Sequence, residues 1–167
     1  MSCLTTPRVL VGVALFCVVG CGGNDSSPTP VSSIMFGQLS PPQGSVITTT
    51  GTTPGAFIPK DSGRLSIPLT VTSGREVPWA QLYVYLYSGT GPNDYCGQNL
   101  PDAPTWGPFS KGQTASVTIS GFQVFRLPCT VTSLRAMLHT RNTGLLTPPI
   151  ASETVAEASM TVNYRIQ

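Results

Sequence analysis

A single histidine, His139, stands in a chain of 167 residues. A serine–histidine–acid triad would have to use it, and no Gly-x-Ser-x-Gly elbow accompanies it. Its neighbours along the chain are Arg135, Met137 and Arg141, and flanking cations lower the basicity of an imidazole, which suits a general base poorly. A zinc site of cysteine and histidine ligands lacks partners for the same reason. Charge is equally scarce, with Lys, Arg, Asp and Glu making up 10% of the residues. No basic stripe is clustered anywhere, so the footprint of a nucleic-acid binder is missing and no nucleic acid is expected as partner. The acids Asp61, Glu76, Asp94, Asp102, Glu153 and Glu157 are scattered through segments read as loops. Nothing in the sequence pairs them as glycoside hydrolysis requires. No glycine-rich phosphate loop leads into a helix, no internal repeat is visible, and no cofactor or catalytic activity is expected.

Hydrophobic length is also missing. The longest apolar run, Val9 to Val19, has eleven residues, whereas a membrane-spanning helix needs about 20. Preceded by the one basic residue Arg8, it reads as the core of a secretory signal peptide. It ends in Val18-Val19-Gly20-Cys21, which resembles the lipobox of bacterial lipoproteins. In that family the cysteine thiol takes a diacylglycerol, the signal is cut before it, and the new amino terminus is acylated. The resemblance implies a signal peptide over residues 1–20, lipidation at Cys21 and a lipid bilayer as partner. Gly22, where an Asp would mark inner-membrane retention, implies the outer membrane if the host is Gram-negative. More than one acyl chain gives lasting attachment, each buried CH₂ contributing about 0.8 kcal/mol. Residues 21–33 then form the acylated cysteine and a tether, "GGNDSSPTPVSS", with the composition of a disordered linker. Such a linker reaches about 20 Å by random-coil scaling.

Beyond the signal, 147 residues remain, with 8 basic and 7 acidic side chains, enough for one domain with a real core over residues 34–167. The 17 glycines and 16 prolines favour short strands joined by turns. Cys3 and Cys17 leave with the signal, so Cys96 and Cys129 are the cysteines of the folded part. In an oxidising compartment they are expected to form a disulfide.

Alternation of apolar and polar residues is the dominant pattern. Leu65, Ile67, Leu69 and Val71 share one face, with Pro68 pointing away and suiting an edge or a bulge. Ala80, Leu82, Val84 and Leu86 oppose Gln81, Tyr83, Tyr85 and Tyr87, with Trp79 on the tyrosine side. Ala115, Val117 and Ile119 form a third stripe, and Leu134, Ala136 and Leu138 a fourth, opposite Arg135, Met137, His139 and Arg141. The last runs Ala158, Met160, Val162, Tyr164 and Ile166 against Ser159, Thr161, Asn163 and Arg165. Val46 to Thr50 is a weaker strand, and residues 152–158 could make one helical turn. The fold class expected is all-β, an antiparallel β-sandwich of about seven strands.

"SPPQGSVI", Ser40 to Ile47, is similar to the Pro-x-x-Gly opening of many bacterial immunoglobulin-like and fibronectin-III-like modules. The order of strands that follows fits B, C, E, F and G of that architecture. There is no cysteine in the B-like strand, so Cys129, opening the F-like strand, would tie to Cys96 in the loop after C. The resemblance also implies that C, F and G are neighbours. Tyr83, Tyr85 and Tyr87 would then share an outer face with Arg135, Met137, His139, Arg141, Thr161, Asn163 and Arg165. Aromatic rings beside guanidinium groups recur at binding hot spots, and a flat aromatic strip can stack on sugar rings. The same residues also serve ordinary cross-strand packing. Asn93, Asp94, Asn99 and Asp102 are possible oxygen ligands for Ca²⁺, although they lack the alternating Asp pattern of an EF-hand and suit turns equally well. The function expected is a non-catalytic binding or scaffolding module anchored at the bacterial envelope, its partner an envelope protein. The alternative is a carbohydrate-binding module or small carbohydrate-active enzyme using loop carboxylates on a surface glycan.

Overall fold

A computed structural model describes residues 31–53, 55–99, 104–140 and 153–167. Cys21 and the lipobox, the tether up to residue 30, Asp102 and Arg141 lie outside the described residues. Among the described residues eleven strands follow one another: β1 (Ser33–Phe36), β2 (Val46–Ile47), β3 (Ala56–Ile58), β4 (Ile67–Thr72), β5 (Ala80–Tyr87), β6 (Tyr95–Asn99), β7 (Thr105–Trp106), β8 (Thr114–Ile119), β9 (Phe122–Val124), β10 (Cys129–Thr140) and β11 (Thr154–Ile166). They make a three-stranded sheet, β1-β4-β8, and an eight-stranded sheet, β2-β11-β10-β5-β6-β9-β3, with β7 paired to β5. The protein is all-β, as the alternation predicts.

Both sheets bury their apolar stripes in one core. Ile67, Leu69 and Val71 of β4 join Leu82, Val84 and Leu86 of β5 and Leu134, Ala136 and Leu138 of β10 there. Each fully buried Leu or Ile contributes about 1.5–3 kcal/mol, so these stripes dominate the fold's stability. From β11, Val162, Tyr164 and Ile166 are buried, and the Tyr164 hydroxyl donates to the Pro41 carbonyl oxygen at 2.8 Å.

Two expectations need correction. Pairing is not antiparallel throughout, because β2 runs parallel to β11. The segment before it bridges the residue preceding β4 through Ser40 and Ser66, turns at Gly44 (φ 89°), and then joins the larger sheet. Pairing continues as Thr49 N donates to the Gln167 oxygen, and Thr50 then bridges Phe57 of β3. The two edges of the larger sheet, β2 and β3, therefore meet through residues 47–57, and the sheet is curled. Second, the strands exceed about seven, since short ones such as β3, β7 and β9 are too brief to leave an alternating signature.

Three local readings also change. Pro68 sits in the middle strand of its sheet, not at an edge. Its carbonyl accepts from Gly37 N at 2.8 Å, but it has no N–H to return, and β1 stops at Phe36, immediately before that position. Residues 154–158 are strand, because β11 pairs with β10 from Thr154 onward and Ala156 is buried opposite Leu138. Cys96 lies in β6 rather than in a loop, and is bonded to Cys129 at the start of β10.

Candidate binding face

Strand order in the larger sheet decides which outward residues meet. β10 lies between β5 and β11, so Tyr83 stands beside Met137, Tyr85 beside Arg135, and Gln81 beside His139. Alternation turns Leu82, Val84 and Leu86 inward and leaves Tyr83, Tyr85 and Tyr87 half-buried on the outer side. Adjacent rings in one strand then contact each other. Tyr83 and Tyr85 stack with centroids 6.3 Å apart, and Tyr85 meets Tyr87 nearly edge-on at 6.4 Å. His139 closes one end of the row, its ring T-shaped to Tyr83 at 5.6 Å.

Sequence reasoning missed the other end. Tyr95 of β6 pairs with Tyr87 and touches both Tyr85, at 5.5 Å, and Tyr87, at 5.9 Å. Phe125 extends the row from Tyr95 at 5.9 Å. Four of the chain's five tyrosines thus form one cluster. The signal for Tyr95 was present: "SGTGPND" between two tyrosines is a turn sequence that joins β5 and β6 as a hairpin.

Within that turn, Asp94 is occupied by the backbone. Its Oδ2 accepts from Gly91 N at 2.8 Å, and its carbonyl accepts from Ser88 N and Ser88 Oγ, both at 2.8 Å. A Cβ on Gly89 or Gly91 would come within 2.6 or 2.8 Å of that carboxylate and would push it from its place. Asn99 is 4% exposed, accepts from Val84 N at 2.8 Å and donates to the Leu82 oxygen at 3.3 Å. Asp94 and Asn99 are therefore tied to turn and strand backbone. Among the described residues no group of three or more acids, cysteines or histidines is arranged to hold a metal.

The expected cation–aromatic arrangement is altered at Arg135. Its Nε donates to Glu157 Oε1 at 2.7 Å, drawing the guanidinium toward β11. Glu157 is a strand residue there, not a loop acid. The Arg135 pKa is raised, first by the hydrogen bond to Glu157. Burial lifts the Tyr85 hydroxyl above its ordinary range, with Tyr83, Tyr87 and Tyr95 adding to the shift. His139 moves down from its ordinary value because burial disfavours the imidazolium, and Glu157 opposes this only in part. The direction agrees with the sequence reading, but the cause is desolvation rather than flanking cations. Its Nδ1 is buried without a hydrogen-bond partner.

Thr161, Asn163 and Arg165 lie exposed along β11, farther from the rings. Trp79 is 39% exposed and packs on Gly107, where a Cβ would come within 2.7 Å of its ring. Two further acids are engaged elsewhere: Glu153 pairs with Arg75 at 2.8 Å, and Asp61 Oδ1 accepts from Ser120 Oγ at 3.2 Å. Beside the outer end of the row a shallow depression of about 310 Å³ is lined by Asn93, Tyr95, Phe125 and Arg126. Arg126 is braced over it, donating to the Tyr95 oxygen at 3.2 Å and to Ser88 Oγ at 3.3 Å.

No protein-family model matches the chain, and no curated protein matches it in sequence. Among solved structures, a Niemann-Pick type C2 protein from the Japanese carpenter ant is similar over 84% of this chain and 96% of its own, at 14% identity and a TM-score of 0.36.

Proposed function

We propose that this chain is a lipid-anchored, non-catalytic binding module of the bacterial envelope, with Cys21 as anchor, an immunoglobulin-like body and the aromatic row as its docking face. The neighbour order β11-β10-β5 opposite β1-β4-β8, with β2 parallel to β11, supports the immunoglobulin-like reading. The row from His139 through Tyr83, Tyr85 and Tyr87 to Tyr95 and Phe125 carries the functional reading. Rings locked against one another lose little side-chain entropy on binding, which makes tyrosine efficient at protein interfaces. Ser33, where the tether would enter, pairs with Thr72 at the end of the fold that also holds Glu153 and Thr154. Tyr87, Tyr95 and Phe125 lie toward the opposite end, so a tethered domain can present them away from a bilayer.

A photo-crosslinking residue at Tyr85, compared with one at Thr70 on the outer face of the smaller sheet, tests this in cells. The expected result is a discrete protein adduct from position 85 that is lost when Tyr83 and Tyr87 are changed to serine. Equal adducts at both positions overturn it. So does an adduct that survives those changes in a chain melting like wild type.

The depression at Asn93, Tyr95, Phe125 and Arg126 favours a second reading, a surface glycan. Ring faces stack on the C–H side of a sugar while an amide and a guanidinium bond its hydroxyls. Retention on an envelope polysaccharide column, abolished by Phe125→Ser, distinguishes this from protein docking.

A further inference from the structure

The larger sheet joins its own edges through residues 47–57, whereas β8 is the outer strand of the smaller sheet. Just before β4, Ser66 exchanges both backbone hydrogen bonds with Ser40, and within β4 the Pro68 oxygen accepts from Gly37 N. Even-numbered residues of β4 therefore turn their backbone toward β1, and odd-numbered ones bond Ala115, Val117 and Ile119 of β8. Thr114, Ser116 and Thr118 direct their N–H and C=O groups outward, where none of the described residues pairs with them, and their side chains are exposed. Strand edges are commonly guarded by lysine, proline or an inward charge. β8, "TASVTI", has none of these.

From this geometry we infer that the free edge of β8 pairs antiparallel with β8 of a second copy of the chain, about a two-fold axis through Ser116. Thr-Ala-Ser-Val-Thr reads alike in both directions by chemical type, hydroxyl residues alternating with small apolar ones. Symmetry sets Thr114 against Thr118 of the second copy and Ser116 against its own image. Three donors and three acceptors from each copy close six hydrogen bonds with none left over. Ala115 faces Val117 of the second copy on the inner side, continuing the apolar stripe. Beyond the strand, Lys111 of each copy reaches Gly121 of the other, next to Ser120, which holds Asp61 by hydrogen bonds at both Oδ1 and the backbone N. The two ends are thus complementary in charge. Ser33, Thr72 and Thr114 lie at one end of the smaller sheet, so the pair sends its two N-termini out of opposite ends.

Sedimentation of the full chain in detergent measures the association, with Ser116→Lys and Ser116→Glu as variants. Ser116 is exposed and its backbone faces away from β4, so both variants leave the β4 ladder intact. The expected result is a wild-type dimer whose dissociation constant rises at least tenfold in either variant, where like charges meet on the axis. Mixing the two variants then restores association, which a folding defect would not do. A wild-type monomer at every concentration overturns the inference, as does a dimer indifferent to both substitutions or variants that stay apart when mixed.

Discussion

Asn99 and His139 show how single side chains are committed. Leu82 and Val84 lie in β5 between the reach of β6 and the reach of β7, and the Asn99 amide satisfies the backbone groups left open there. Replacing it by alanine strands a buried donor and a buried acceptor, at about 2–4 kcal/mol in all. A urea melt of Asn99→Ala is expected to lose that stability, and an unchanged midpoint would refute the assignment. His139 has a folded pKa below its ordinary value, so between the two values the unfolded chain binds more protons. Its contribution is full above the unfolded value of about 6.5 and is lost as pH falls through the folded one. Wild-type stability should therefore fall between pH 7.5 and 5.5, and His139→Gln should flatten that slope.

Among the elements, the long strands carried their own message and the short ones did not. β4, β5, β10 and β11 alternate strictly enough that their inner and outer residues are legible in the sequence, the tyrosine row included. β6 is opaque because its buried positions are Cys96, Gly97 and Asn99, none of them a hydrophobic strand former. Its place comes from long-range features: the disulfide, and a close approach in which a Cβ on Gly97 would lie 2.8 Å from the Gln123 oxygen. Phe125 was hidden with it, since its position depends on β6 and on the chain just after β9, whereas Tyr95 was signalled only by the turn that precedes it. The Cys96–Cys129 bond spans 33 residues and pins β6 to the start of β10. Replacing both cysteines by serine is expected to cost about 3–4 kcal/mol through the entropy of the opened chain. The Tyr85–Tyr95 contact should loosen as well, read as a downward shift of the Tyr85 titration, since partial burial and its ring neighbours hold that pKa up.

At the scale of the whole molecule, the N-terminal strand and the outer end of the aromatic row are at opposite ends of an all-β body. In the proposed function, a lipid at Cys21 would leash this body to a bilayer while the aromatic row is left to meet a partner. Intact-mass and N-terminal analysis of the membrane-bound protein tests this most directly. The account predicts a chain that begins at Cys21 and is heavier than its sequence by a diacylglycerol and an amide-linked acyl group. A chain that begins elsewhere, or carries an unmodified Cys21, would contradict it.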